Sequence, residues 1–350
     1  GETWKEDTVS VVFSCTKGAA ALCAHILASE GLLDFDAPVV EYWPEFGKAG
    51  KEAITVKMLL NHQSGIAAIR EPLPKGAFYD WDLMVHLLEE QEPFWEPGTR
   101  HGYHAYTFGW LVGEVVRRIS RKSLGNFFQE KVAQPLGLDF WIGLPPEIEP
   151  RVAKMISPEA QPNTLFFKTA QENKNSLQRL FLLNDGGFFS ALEFDSRAAH
   201  AAEIPAANGI TNARGLAGMY APLSCGGGLK GIDLVDSNNL ARMSAVSSAS
   251  DKDAMLLIST RLSLGFWKSM DNRGQHSEML DSLIISEDAF GHPGAGGSIG
   301  FADPMERMSF GYSMNKMGPC LSVNPRGQNL IDAVYMTLGY TSDVSGRWVR

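Results

Sequence analysis

Four consecutive residues, Ser14-Cys15-Thr16-Lys17, place a hydroxyl and an amine three positions apart. Residues at that spacing share one face of a helix, so the amine can fold back onto the hydroxyl. The apolar run Val11-Val12-Phe13 ahead of them reads as the end of a strand. The stretch from Lys17 to Ala28 reads as a helix that stops near Gly31. Ser14 then lies at the cap or in the first turn, where the positive helix end favours an alkoxide. Such a pair can perform nucleophilic attack by the hydroxyl, with the lysine amine taking its proton. That chemistry needs a neutral amine, whereas a lysine in water titrates at about 10.4. The helix has almost no polar face, which marks it as buried, and desolvation of an ammonium lowers its pKa.

A serine and a lysine three apart arise by chance on the order of once in a chain of this size. The spacing indeed recurs at Ser313-Met314-Asn315-Lys316. That copy follows the alternating run Met308 to Tyr312 and precedes Gly318-Pro319, so no helix follows to hold Lys316 over Ser313. A second rival is Ser298, in Gly296-Gly297-Ser298-Ile299-Gly300, which matches the G-x-S-x-G nucleophile elbow. The elbow requires a catalytic histidine downstream, yet all eight histidines precede Ser298, the last being His292.

A nucleophile and one base call for a second proton carrier and a site for the developing oxyanion. Tyr103 is the candidate carrier, in the polar, glycine-bearing loop Gly98 to Tyr106 just ahead of a helix. His101 and His104 in the same loop could bind zinc only with a third ligand from elsewhere, and no Cys or carboxylate cluster marks one. The glycine-rich segment Phe290 to Gly300 is the oxyanion candidate, because glycines let backbone N–H groups approach a substrate closely.

These residues sit in a chain of 350 residues, 44% hydrophobic and 20% charged, which suits a globular protein with one large core or two domains. No apolar stretch approaches the roughly 20 residues that cross a bilayer. A net charge of −9 argues against nucleic acid or anionic membranes as partners and leaves small molecules. Cys15, Cys23, Cys225 and Cys320 have no paired or metal-type spacing, which points to a reducing compartment and a cytoplasmic location. No signal peptide is visible, although the chain opens abruptly at Gly1-Glu2-Thr3-Trp4 and is compatible with a removed leader.

Helices are expected at Trp81 to Glu90, Tyr106 to Arg118, from Ser123 onward, at Ala213 to Leu223 and at Gln328 to Leu338. Thr55 is expected to cap a short helix, and Gly226 to Gly231 to form tight turns or a hairpin. Val39 to Pro44 reads as extended, and strands are expected at Leu264 to Trp267, Ile299 to Ala302 and Ser309 to Met314. The pattern implies an α/β protein of the α+β type. An antiparallel sheet flanked by helices is built from both chain ends, around an inserted, mostly helical domain. On this reading 1–70 and 261–350 form the α/β domain, 71–260 the insertion, and the active site lies in the cleft between them.

With Ser14-Cys15-Thr16-Lys17, Tyr103-His104-Ala105 and His292-Pro293-Gly294 in that order, the chain resembles the serine β-lactamase-like superfamily of class C β-lactamases, D,D-peptidases and carboxylesterases. It is most similar to the last group, the family VIII esterases. The likeness extends over nearly the whole chain, including Glu30 to Val39, Leu59 to Ile66, Glu96 to Thr99 and Pro205 to Gly209. The resemblance implies a β-lactamase/transpeptidase-like fold and a Ser14 acyl-enzyme. Lys17 and Tyr103 would move protons, and the N–H groups of Ser14 and Ala295 would form the oxyanion hole. It further implies two-step hydrolysis without metal or organic cofactor.

Two departures from the pattern bear on substrate. Class C β-lactamases have Asn where this chain has Ala105, and Lys-Thr-Gly where it has His292-Pro293-Gly294. The first loses an amide that holds the antibiotic side chain, and the second removes the hydroxyl for the substrate carboxylate and leaves a titratable ring where the cation stood. Ala105, His292, Pro293 and Gly294 are therefore the expected substrate-binding positions, and a small, uncharged ester is the expected substrate. The same scaffold also hosts β-lactamase, D,D-peptidase and acyltransferase activities, or a catalytically silent role. Family members carry sheet strands in a longer segment ahead of the nucleophile, and here 13 residues precede Ser14. The expectation is a fragment, or a sheet whose first strands are lost and whose edge is covered by other means.

Overall fold

The computed structural model describes residues 3–159, 164–274 and 281–350. Its centre is the helix Cys15–Ser29, of which 13 residues are buried. Alanine and glycine dominate it, so neighbours close in tightly: a Cβ on Gly18 would stand 2.4 Å from the Tyr220 hydroxyl. The helix packs between helix Thr107–Ser120 and strand Phe290–Pro293.

That strand opens the main antiparallel sheet, in which Ile299–Asp303 lies between Phe290–Pro293 and Met308–Tyr312. Alternation along the central strand separates its two faces. Ile299 and Phe301 pack with Ile331 and Tyr335 of the terminal helix Pro325–Thr337. On the other face Gly300 and Gly311 are register partners. They leave a groove for helix Ala213–Ser224, since a Cβ on Gly311 would meet the Ala213 carbonyl at 2.2 Å. The sheet continues through Trp267, which bridges both Gly291 and Leu262, and so reaches the hairpin of Ser248–Ser250 with Thr260–Leu262.

The architecture is the expected antiparallel sheet flanked by helices. The two chain ends contribute differently, however. The short strand Ser10–Val11 pairs with Ile210–Thr211, which also pairs with Phe140–Trp141, so from the N-terminal side the helix, not the strand, meets the main sheet. Helix Val56–Leu60 carries the expected Thr55 cap and Leu124–Phe128 starts at Ser123 as expected; Asp80 caps Trp81–Glu90, and all three side chains accept a backbone N–H.

Two segments differ from expectation. Val39 to Pro44 is not extended but coils into 3-10 turns at Val39–Glu41 and Pro44–Gly47. Val39, Trp43 and Phe46 are all buried, and four- and three-residue steps between them are a helical period that overrides the β-branched pair. Leu264 to Trp267 is not a continuous strand. Gly265 has φ +91° and would place a Cβ 2.3 Å from that of Ala21, so the chain turns there against the N-terminal helix. Among the described residues no helix is long and apolar enough to cross a membrane.

Candidate active site

Ser14 is the N-cap of the Cys15–Ser29 helix, and its side chain makes no capping bond. The turn that delivers it is strained: Phe13 has φ +44°, a left-handed backbone that a bulky residue rarely adopts. The strand before it is held by the Val12 amide donating to the Gly209 carbonyl at 2.9 Å, and the Phe13 ring is wedged between Phe189 and Phe194 at 5.8 and 5.2 Å.

One helical turn on, the Lys17 amine lies 3.0 Å from the Ser14 Oγ and 2.8 Å from the Ala206 carbonyl. Lys17 is fully buried, and desolvation holds its pKa well below the ordinary lysine range. Tyr103 stands beside them, with its ring 4.8 Å from the Lys17 amine and, like Ser14, lining the same cavity. Burial pushes its phenol up, with the nearby Ser14 side chain opposing the shift. Ser14, Lys17 and Tyr103 thus meet at one point, although they come from opposite ends of a helix turn and from a loop 86 residues beyond Lys17.

The Tyr103 loop is pinned amide by amide. Gly102 donates to the His62 carbonyl at 3.2 Å and His104 to His62 Nδ1 at 3.0 Å. Between them, the Tyr103 amide donates to both oxygens of buried Asp253, each at 3.0 Å. His101 and His104 are engaged by protein groups: His101 Nε2 lies 2.6 Å from the Thr260 hydroxyl, and His104 spans the Ser64 hydroxyl and the Gly102 carbonyl at 2.8 and 2.7 Å. Burial lowers the pKa of His104 to about 3 and those of His62 and His292 well below the usual imidazole range, which leaves uncharged rings around Tyr103 near neutral pH. Among the described residues no group of three or more His, Cys, Asp or Glu side chains could hold a metal ion.

Ser14 and Ala295 both line a pocket of about 510 Å³, a volume that includes its open mouth, and neither amide donates to a backbone acceptor among the described residues. The close approach of the two segments depends on Gly294, where a Cβ would meet the Val12 carbonyl at 2.2 Å and the Cys15 sulfur at 3.3 Å. Gly294→Ala is expected to destabilise the fold by about 2–3 kcal/mol, read as a lowered denaturant midpoint, and to displace Ala295 from Ser14.

Ala105 lines the cavity beside Tyr103. His292 and Pro293 end the buried strand Phe290–Pro293 and Gly294 follows it; the His292 ring packs against Trp267 and Tyr103 at 5.7 and 6.0 Å. The rest of the wall is largely apolar and includes Tyr106, Phe166, Phe181, Phe189, Met255 and Leu256. No charged side chain lines it among the described residues. Cys15, next to the serine, is buried, and desolvation keeps its thiol protonated.

The rival serines lie elsewhere. Ser298 is buried, accepts from the Met314 amide at 3.4 Å and leads into a strand. Lys316 is paired with Glu159 at 3.1 Å, and Ser313 lines a separate surface depression with Trp4 and Arg214. Sequence reasoning missed Asp253, the Ala206 carbonyl and the aromatic wall. Only Asp253 had a local signal: an aspartate opening a turn, whose carboxylate takes the amides of Met255 and Leu256.

The Beta-lactamase family model matches residues 1–334. The esterase/beta-lactamase LipL of Mycobacterium tuberculosis (strain ATCC 25618 / H37Rv) is 35% identical over 327 residues, covering 90% of this chain and 71% of LipL. Among solved structures, a family VIII carboxylesterase is 40% identical with a TM-score of 0.80, over 95% of this chain and 84% of that one. A penicillin-binding protein homologue from Caulobacter crescentus is 33% identical with a TM-score of 0.82, over 95% and 85% of the two chains. The extent of these matches, on a fold of this kind, makes the chain a member of the β-lactamase family, within its serine hydrolases that have esterase relatives.

Proposed function

We propose that the protein is a carboxylesterase that cleaves small, uncharged esters through an acyl-enzyme on Ser14. The observation that carries this reading is the 3.0 Å contact between the Ser14 hydroxyl and a Lys17 amine that burial disfavours as an ammonium. Burial moves Lys17 and Tyr103 in opposite directions, so the resting pair is a neutral amine beside a protonated phenol. That difference supports Lys17 as the first base and Tyr103 as the donor to the leaving group. The Ser14 oxygen bonds to the acyl carbon while its proton passes to Lys17. The Ser14 and Ala295 amides hold the oxyanion, and the ester C–O bond breaks as Tyr103 protonates the departing alkoxide, to be reprotonated from Lys17. Water then attacks the acyl-enzyme by the reverse proton path and releases the acid.

The apolar wall and the absence of a charged side chain among its described residues support a neutral acyl group over a β-lactam or peptide carboxylate. The name of the family VIII carboxylesterase supports ester cleavage in the same direction, and that of the esterase/beta-lactamase LipL includes it. The test is intact mass and peptide mapping after a fluorophosphonate probe, alongside p-nitrophenyl esters and a chromogenic cephalosporin. An adduct on Ser14 with ester turnover well above cephalosporin turnover is expected; an adduct on Ser298, or none, would overturn the reading.

Chain length selectivity follows from the wall. Phe181 stacks on Tyr106 at 4.8 Å and lines the cavity. Phe181→Ala lengthens the cavity, and the ratio of kcat/KM for p-nitrophenyl octanoate over acetate is expected to rise about tenfold.

A further inference from the structure

Asp253 touches neither Ser14 nor Lys17, yet it is fully buried and collects donors from both sides of the cavity. Its two oxygens share the Tyr103 amide at 3.0 Å, and Oδ1 also accepts the Met255 and Leu256 amides at 2.8 Å. Oδ2 lies 3.4 Å from both His101 Nε2 and the Thr260 hydroxyl. The two loops it joins are in close contact, since a Cβ on Gly102 would stand 2.8 Å from that of Ala254. One loop carries Tyr103 and Ala105, and the other carries Met255 and Leu256 of the cavity wall.

We propose that Asp253 is a positioning residue, which fixes the Tyr103 phenol over Ser14 by clamping the Tyr103 amide to the turn at 253–258, with His101 and Thr260 holding the carboxylate in turn. His62 anchors the amides on either side of Tyr103, and Asp253 alone anchors the middle one. The role rests on Tyr103 as proton carrier in the reading above. A displacement of about 1 Å in such a group lowers the rate by about 10²-fold without weakening substrate binding.

Asp253→Asn keeps the shape and one acceptor but offers an amide where the carboxylate faced donors. Asp253→Glu keeps the charge and moves the acceptor. Both are expected to lower kcat for p-nitrophenyl butyrate by about 10- to 100-fold, with KM changed less than about threefold. In a Tyr103→Phe background the same substitutions are expected to cost less than about threefold more, because the group they position is gone. Equal losses in both backgrounds, or an unchanged kcat in Asp253→Asn, would overturn the role. Thr260→Val, which removes one support and leaves the amide bonds, serves the same cycle if Asp253→Asn does not fold, with a smaller loss expected. Fluorophosphonate labelling of the wild-type chain separates the two readings: without an adduct on Ser14 the acyl-transfer reading fails and the role with it, whereas a labelled wild type with additive losses overturns the role alone.

Discussion

Ser14→Ala is expected to lower kcat/KM for a short-chain p-nitrophenyl ester by at least about 10⁴-fold while leaving the thermal transition nearly unchanged. The two halves of that result have separate causes. Stability is spared because the Ser14 hydroxyl caps no backbone N–H, although it stands at the N-cap. Activity has no substitute nearby. The Thr16 hydroxyl is committed to the Phe13 carbonyl and the Gly209 amide, Ser298 is buried in a strand lead, and Ser313 faces a different depression. Loss of burst-phase p-nitrophenol and of the fluorophosphonate adduct should accompany the loss of turnover. A rate within tenfold of wild type would remove Ser14 from the mechanism.

Lys17→Met should cost activity about 10³-fold, within the range of general-base contributions, and should change stability in a direction that depends on pH. A lysine whose folded pKa lies below its unfolded value binds fewer protons folded than unfolded. Between those two values stability rises with pH and is lost as pH falls, and each unit of depression costs about 1.4 kcal/mol. Lys17 is such a group, because burial lowers it well below 10.5. Methionine fills the stem without a titrating amine but leaves the Ala206 carbonyl without its donor, a loss of about 1–3 kcal/mol. The variant is therefore expected to match or exceed the wild-type melting temperature near about pH 6 and to fall below it near about pH 10, where the pH approaches the unfolded value and most of the desolvation cost has gone. Parallel melting curves at both pH values would show that Lys17 is not desolvated as described. Lys51 and Lys268 are also lowered by burial, each to about 8, so the difference between wild type and variant is the quantity to read.

What could be read in advance was mostly local. The Ser14–Lys17 contact follows from helical spacing, and two short helices are marked by Thr55 and Ser123, whose caps act within three residues. Tyr103 could be picked from its glycine-bearing loop, and the run Phe290 to Gly300 as a place where two segments approach, whereas Ala295 within that run followed only from the family resemblance. The rest depends on distant pairings. Asp253 meets Tyr103 across 150 positions, and Ala206 meets Lys17 across 189, so neither has a periodic signal. The turn at Gly265 is set by Ala21 of another element, and Val39 to Pro44 was misread because β-branched residues outweighed the helical period of its buried side chains. The cavity wall could not be assembled from sequence, since Phe166, Phe181, Met255 and Leu256 converge only after the main sheet and helices are in place.

The left-handed backbone at Phe13 links two properties that would otherwise vary independently. A conformation of that kind costs about 1–2 kcal/mol and persists only where its surroundings enforce it. Phe189 and Phe194 grip the Phe13 ring, and Phe189 is at the same time part of the cavity wall. A mutation that enlarges the cavity at Phe189 therefore also loosens the turn that presents Ser14, whereas one at Phe181 does not touch that turn. Selection for new substrates in this protein should accumulate changes on the Phe181 side and leave Phe189 as a fixed point, because there a gain in range is also a loss of rate.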